Sequence, residues 1–305
     1  MNARRVVVRA PAKVNLTLAV GARRPDGYHG VDTVLVALTL GDRLTAARRP
    51  EPGVLLRVDG PAAAGVPDDG QNLVVRAAEG LLAAAGATGG LVVELEKHVP
   101  AGGGLGGGSS DAAAAVLATA TLLGLDPDGP RGLALLATLG SDCPFFLAAR
   151  HTGLARCTGR GERVEPWAGV HIPAWFVLVT PGFGCATARV YQAYRPATAG
   201  PPTLSAARLD GLAAQELAGE LRNDLLPAAR ASHPELAACE AWLGALWPGR
   251  FHLSGSGSSW FALCATGAEA EALAAALAAD GEGRRFGLRG PWVARAAGHG
   301  VCLEH

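Results

Sequence analysis

Apolar residues run or alternate along many short segments of the chain, as they do in strands. In the first half these are Val6–Ala10, Lys13–Val20, Thr33–Leu40, Gly53–Asp59 and Leu91–Glu96. In the second half they are Leu154–Thr158, Trp175–Thr180, Phe251–Leu253, Trp260–Ala265 and Trp292–Arg295. Helices are predicted at Leu73–Ala85, Asp111–Leu123, Leu133–Leu139, Leu212–Leu221, Pro234–Leu246 and Ala268–Ala278. Asn72 suits a helix cap, Gly124 and Gly140 suit helix stops, and Pro144 suits a first helical turn. Arg23–Gly27 reads as a turn, Asp126–Pro130 as a breaker and Pro196–Pro202 as a loop. Strands mixed with segregated helices predict an α+β protein of two domains. The texture changes at about residues 150–160, so the domains are drawn as 1–155 and 156–305.

Composition narrows the choices. The chain has 305 residues, 49% of them apolar, enough to bury a large core. Its formal net charge is zero, which gives no general electrostatic support for a nucleic-acid or acidic-membrane partner. The uncharged stretches Ala112–Leu125 and His171–Ala188 are too short, or too broken by Pro and Gly, to span a bilayer. Arg4, Arg5, Arg9 and Lys13 surround the first valines and leave no room for a signal-peptide core. The expectation is a soluble, cytoplasmic protein, monomer or homodimer. The six cysteines are scattered, with no C-x-x-C pair and no histidine at metal-ligand spacing, so they read as buried free thiols. Leu303–His305 resembles a cloning scar and is set aside from the fold argument.

Candidate chemistry begins with six glycines in seven residues, Gly102 to Gly108, broken only by Leu105. The run lies between the strand Leu91–Glu96 and the alanine-rich helix that Asp111 opens. Glycine lets a backbone approach a ligand closely and adopt positive φ. A helix start adds free N–H groups and the positive end of a dipole. Together they make an anion site, and phosphate is the natural anion. A flexible linker is the alternative, but Ser109-Ser110-Asp111 reads as a helix cap, which linkers rarely carry. No lysine follows the glycines, so this is not a Walker loop. Gly102, Gly104 and Gly107 satisfy G-x-G-x-x-G, but several strands precede them. The acidic residue about twenty positions on, Asp126, sits in a breaker rather than at a strand end.

Only two lysines, Lys13 and Lys97, stand against 25 arginines. A surviving lysine suggests a need for a compact ammonium rather than a planar fork. Lys97 is read as having a solvated head near the loop. Lys13 lies in Pro11-Ala12-Lys13-Val14-Asn15-Leu16, where an exposed salt bridge is less natural.

That segment, the glycine loop and Leu253-Ser254-Gly255-Ser256-Gly257-Ser258-Ser259 resemble the three motifs of the GHMP kinases. This is the superfamily of galactokinase, homoserine kinase, mevalonate kinase and phosphomevalonate kinase. Arg24-Pro25-Asp26-Gly27-Tyr28-His29 and Leu139-Gly140-Ser141-Asp142-Cys143-Pro144-Phe145-Phe146 extend the match. They are similar to the branch of 4-diphosphocytidyl-2-C-methyl-D-erythritol kinases, which act in the non-mevalonate isoprenoid pathway. The resemblance covers most of the chain and is strongest in residues 9–146. Gly30, Val31, Ser141 and Cys143 depart from residues usual in that branch.

The resemblance implies a ribosomal S5 domain 2-like N-terminal domain and a ferredoxin-like C-terminal domain. It implies transfer of the γ-phosphoryl group of ATP, with Mg²⁺, to the 2-hydroxyl of a cytidine-diphosphate alcohol. The triphosphate would be wrapped by Pro100, Ala101, Gly102, Gly103, Gly104, Leu105, Gly106, Gly107, Gly108, Ser109 and Ser110. Ser110 is the candidate metal ligand, with helix capping as the plainer role of the two serines. Asp142 maps onto the catalytic aspartate, and Lys13 onto the catalytic lysine. Asn15 would contact substrate or orient Lys13. Tyr28 and Tyr191 would stack on cytosine, His29 would read its edge and Thr187 would touch the nucleoside. The plainer alternatives are an N-cap role for Asp142, a turn histidine at 29 and a core tyrosine at 191. A homoserine- or mevalonate-type kinase, or a silent nucleotide-binding protein on the same fold, are the rival functions.

Overall fold

The computed structural model describes residues 5–196 and 204–304. The chain begins with β1 (Arg5–Arg23), β2 (His29–Arg49), β3 (Gly53–Asp59), α1 (Leu73–Ala84) and β4 (Gly90–Glu96). There follow α2 (Gly107–Leu123), α3 (Pro130–Leu139), α4 (Cys143–Ala148), β5 (Leu154–Gly159) and β6 (Arg163–Pro166). These six strands share one sheet, whose main path runs β1-β2-β4-β3, with β5 and β6 continuing from the other half of β2. All pairs among them are antiparallel except β3–β4.

The second half contributes β7 (Trp175–Thr180), α5 (Thr187–Ala193), α6 (Ala206–Leu209), α7 (Ala214–Glu220), β8 (Arg222–Asn223) and α8 (Leu226–Ser232). It ends with α9 (Pro234–Leu246), β9 (Phe251–Leu253), β10 (Trp260–Cys264), α10 (Gly267–Ala279), β11 (Arg289–Arg295) and β12 (Cys302–Glu304). Strands β7, β9, β10 and β11 form an antiparallel sheet in the order β11-β7-β10-β9. Numbered within that sheet the order is 4-1-3-2, the ferredoxin-like arrangement that the sequence resemblance implied.

Three apolar clusters explain the patterning. The first lies between the large sheet and α1, α2 and α4, around Val8, Leu44, Val93, Leu117 and Phe146. The second lies between the small sheet and its helices, around Val177, Trp260, Leu236 and Leu273. The third joins the two sheets, with Val14, Leu16, Val34 and Val36 against Phe176, Leu178 and Phe261. β7 and β10 therefore face apolar clusters on both sides, which is why they read as unbroken apolar runs. α2 is buried on nearly all sides, and alanine is small enough to let it pass through the core.

Several expectations change. The two predicted strands Val6–Ala10 and Lys13–Val20 are one strand, β1, with a register shift at Pro11/Lys13. Proline donates no ladder hydrogen bond, so a strand can carry it at such an irregularity. The division at residue 155 falls inside β5, and β8 and β12 return to the large sheet. Leu303 and Glu304, set aside in the sequence reading, form part of β12 against β1. Glu304 accepts from Arg9 Nε at 2.9 Å and Arg43 Nε at 2.8 Å. Beyond Pro196 the loop at 196–202 lies outside the described residues, as does His305. The cysteines are free thiols, all buried except the half-buried Cys302. Among the described residues no helix is long and apolar enough to cross a membrane.

Candidate active site

The glycine run forms the link from β4 into α2. α2 starts at Gly107, four residues earlier than predicted, and its N-cap is Gly106 in the left-handed region at φ 73°. Ser109, Ser110 and Asp111 therefore lie inside the helix and do not cap it. No side chain caps the helix. Its first-turn N–H groups have no intrahelical acceptors, so they suit an anion. Leu105, the one break in the glycines, is fully buried in the third apolar cluster and pins the loop.

The second glycine-serine turn, between β9 and β10, nests against this loop. Ser259 N–H donates to Gly103 O at 2.9 Å, and Ser254 Oγ donates to Gly104 O at 3.0 Å. A Cβ on Gly104 would lie 2.5 Å from Ser254 O, so only glycine allows this approach.

Lys13 enters beneath both turns. Its N–H donates to Leu105 O at 2.8 Å, and its side chain is only 3% exposed. Nζ donates to Asn15 Oδ1 at 2.8 Å. Asn15 Nδ2 donates to Thr33 Oγ1 at 2.8 Å, which donates to Thr17 O at 2.6 Å. That buried chain aims the ammonium. Nζ lies 3.3 Å from Asp142 Oδ2. Asp142 stands at the start of α4, yet its side chain makes no capping bond. It is about one-third exposed, so it faces both the lysine and solvent. The plain N-cap role is thus not what its carboxylate does here.

Lys97 does not have a solvated head. It is 2% exposed, and its ammonium donates to Asp42 and to Asp111 Oδ2, the latter at 2.6 Å. Burial works against its charge, but the two carboxylates outweigh that and raise its pKa. Burial also raises the pKa of Asp111, against the pull of Lys97. The trio sits directly under the start of α2, with Lys97 Nζ 3.3 Å from where a Gly107 Cβ would be.

Of the base-recognition candidates, the structure brings His29 and Tyr191 together, while Tyr28 and Thr187 each meet other residues. The His29 ring lies 5.6 Å from Tyr191 and 5.5 Å edge-on to Tyr194. His29 Nδ1 is 3.0 Å from Gly21 O. A carbonyl only accepts, so Nδ1 carries the proton and Nε2 of the neutral ring is an acceptor. Burial pushes the Tyr191 phenol up, and the nearby Asp142 charge adds to that. Tyr28 is 54% exposed, with the Arg160 guanidinium 4.9 Å above its ring. Thr187 Oγ1 is 2.9 Å from Ser256 Oγ and so adjoins the second turn. Ser110 Oγ is buried without a hydrogen-bond partner among the described residues.

Two residues here escaped the sequence reading. Tyr194 Oη donates to Val20 O at 2.6 Å and walls the His29 ring. Its spacing of three from Tyr191 was the available signal. Arg160 sits in the Gly159–Gly161 turn beside Asp142, and only the glycines flanking it hinted at a tight approach.

Comparison with known proteins agrees with this geometry. The chain matches the GHMP kinases N terminal domain over residues 72–150 and the GHMP kinases C terminal domain over residues 205–283. It is 39% identical over 276 residues to 4-diphosphocytidyl-2-C-methyl-D-erythritol kinase of Paramagnetospirillum magneticum, covering 89% of this chain and 93% of the relative. Identity is 41% over 283 residues to the Salinispora arenicola protein of the same name, covering 89% and 87%. A crystal structure of 4-(cytidine 5'-diphospho)-2C-methyl-D-erythritol kinase superposes with TM-score 0.72 at 37% identity, covering 94% of this chain and 98% of that one. Homoserine kinase from Cytophaga hutchinsonii superposes with TM-score 0.70 at 18% identity, which shows the shared fold alone. With its two apposed glycine turns packed over Lys13, which lies 3.3 Å from Asp142, the chain belongs to the 4-diphosphocytidyl-2-C-methyl-D-erythritol kinase family of the GHMP kinases.

Proposed function

We propose that the protein transfers the γ-phosphoryl group of ATP to the 2-hydroxyl of 4-diphosphocytidyl-2-C-methyl-D-erythritol. The observation that carries this is the 3.3 Å approach of Lys13 Nζ to Asp142 Oδ2 beside the uncapped start of α2. Phosphoryl transfer asks a protein mainly for alignment and charge stabilisation. The residues from Pro100 to Ser110 wrap the triphosphate, whose oxygens take the N–H groups of the first helical turn. Asp142 accepts the proton of the attacking hydroxyl. Lys13, held by Asn15, places its point charge where negative charge develops on the transferring group.

Ser110 fits a Mg²⁺ ligand in one respect: its buried hydroxyl has no other partner among the described residues. Among them there is also no cluster of three His, Cys, Asp or Glu side chains that would hold a metal alone. The metal would accordingly come with the nucleotide, with Ser110 as its protein ligand, and would neutralise phosphate charge.

Cytosine presents an exocyclic amino donor on its hydrogen-bonding edge. His29 Nε2, the free acceptor of a ring fixed by Gly21 O, suits that amino group. Tyr28 and Tyr191 supply aromatic faces, each contributing roughly 1–3 kcal/mol when a base stacks. Thr187 lies where the nucleoside would meet the second turn. The test is direct. Purified protein is incubated with ATP, Mg²⁺ and the cytidine-diphospho alcohol, and the products are weighed by mass spectrometry. A product one phosphate heavier, with ADP, is expected. No such product, with homoserine or mevalonate phosphorylated instead, would overturn the substrate assignment.

A further inference from the structure

β8 is two residues long, yet it lies where the chain can reach both sheets. Arg222 and Asn223 pair in parallel with Thr17 and Leu18 of β1, just beyond Asn15. The Asn223 side chain leaves the strand toward the second glycine turn. Nδ2 donates to Leu253 O at 2.9 Å and to Gly255 O at 2.7 Å. Oδ1 accepts from Leu225 N–H at 2.9 Å. These three partners fix which end of the amide is which, since carbonyls only accept and the N–H only donates.

The two carbonyls bracket Ser254, whose hydroxyl donates to Gly104 O of the phosphate loop. Gly255 comes next, at φ 58°. A Cβ there would lie 3.3 Å from Asn15 Oδ1, 3.5 Å from Lys13 Nζ and 3.9 Å from Gly104 O. The Gly255 backbone is therefore the roof over the ammonium. Asn223 holds that roof from behind.

Given the kinase reading of the site, we propose that Asn223 is a positioning residue for phosphoryl transfer. It acts through the Ser254–Gly255 backbone, which it sets over Lys13 and against the glycine loop. A residue serving only to attach β8 would affect stability and leave the chemistry alone. A positioning residue affects the chemistry through the turn.

The chain carries its own control, because it has just two lysines and both are buried. Lys13 lies under the turn, and Lys97 lies under α2. Asn223→Ala removes all three bonds. Asn223→Asp keeps the acceptor for Leu225 N–H but sets a carboxylate oxygen against two carbonyls, and it carries the test if the alanine variant does not fold. Each is compared with wild type in two measurements. The first is kcat with ATP and the cytidine-diphospho alcohol, where a fall of about 10- to 100-fold is expected for a displaced catalytic group. The second needs no alcohol: brief acetylation of lysine amines, read by peptide mass spectrometry. Lys13 acetylation should rise severalfold while Lys97 acetylation stays at the wild-type level.

Equal rises at both lysines would mean general loosening and would overturn the proposal. So would an unchanged Lys13 signal, or an unchanged kcat in a folded variant. If wild type makes no product, the kinase reading fails by itself, and the ratio of the two lysine signals still decides the role of Asn223.

Discussion

Gly106→Ala puts one methyl group against Lys13, the proposed catalytic lysine. Gly106 is the N-cap of α2, at φ 73°. A Cβ there would lie 2.8 Å from Lys13 Cγ, 3.2 Å from Lys13 Cε and 2.9 Å from Phe146 Cζ. Carbon atoms pack comfortably at about 3.5–4.0 Å, so the lysine stem must shift by roughly 0.7 Å or more. The phenylalanine is fully buried and has little room to yield. A misplacement on the order of 1 Å at a reacting group costs about a hundredfold in rate. The expected fall in kcat is thus roughly 10- to 100-fold. The left-handed backbone adds a strain of about 1–2 kcal/mol for alanine. That strain lowers the melting temperature by about 2–8 °C. Gly86→Ala is the control: Gly86 also has positive φ, at 59°, but nothing lies within 4 Å of its Cβ position. It should lose similar stability and keep its full kcat. ADP release under saturating substrates gives kcat, and thermal unfolding gives stability. The reasoning is refuted if Gly106→Ala keeps kcat near wild type, or if Gly86→Ala loses as much of it.

Three further outcomes follow from the same geometry. Lys13→Ala and Asp142→Asn should each lower turnover by at least about a hundredfold with folding intact. A purified variant of either kind with a near-normal rate would remove that residue from the mechanism. Tyr28→Ala should raise KM for the cytidine substrate and spare ATP, and equal loss for both ligands would displace Tyr28 from the base site. The last concerns pH. Burial raises the Asp111 pKa to about 8, above that of an unfolded chain. From the ordinary carboxylate range up to about that pH, the native Asp111 carboxyl binds a proton more tightly than the unfolded chain does. Its contribution to stability is therefore lost as pH rises through that window. Asn at 111 does not titrate, so Asp111→Asn should flatten the fall of melting temperature across it, and parallel profiles for variant and wild type would count against this reading.

Much of the fold was legible because burial writes a pattern into the chain. Leu73–Ala84 and Pro234–Leu246 form as helices close to where they were expected, and Asn72 Oδ1 caps the first by accepting from Val74 N–H. The small sheet was legible because its central strands are buried on both faces. The early start of α2 was not. Serine and aspartate favour N-caps in general, but here the closing turn comes at Gly106, where the loop must fit under Ser254 and against Lys13. Lys97 was misread for a related reason. Its partners Asp42 and Asp111 lie 55 and 14 residues away, and no local signal marks a pairing across such distances.

The residues of the chain alone determined the chemistry on offer: a glycine loop for an anion, one ammonium set among apolar neighbours, and a carboxylate before Pro144. The family likeness carried by those motifs was also present in the chain. Tertiary structure decided how these groups meet. Only the folded chain brings Lys13 to 3.3 Å from Asp142, lays Gly255 over the ammonium, and ties that roof to Asn223. Periodicity and propensity act over a few residues, whereas these contacts span tens to hundreds of positions. They exist because two sheets share one apolar interface, and packing that interface leaves the three segments a single arrangement.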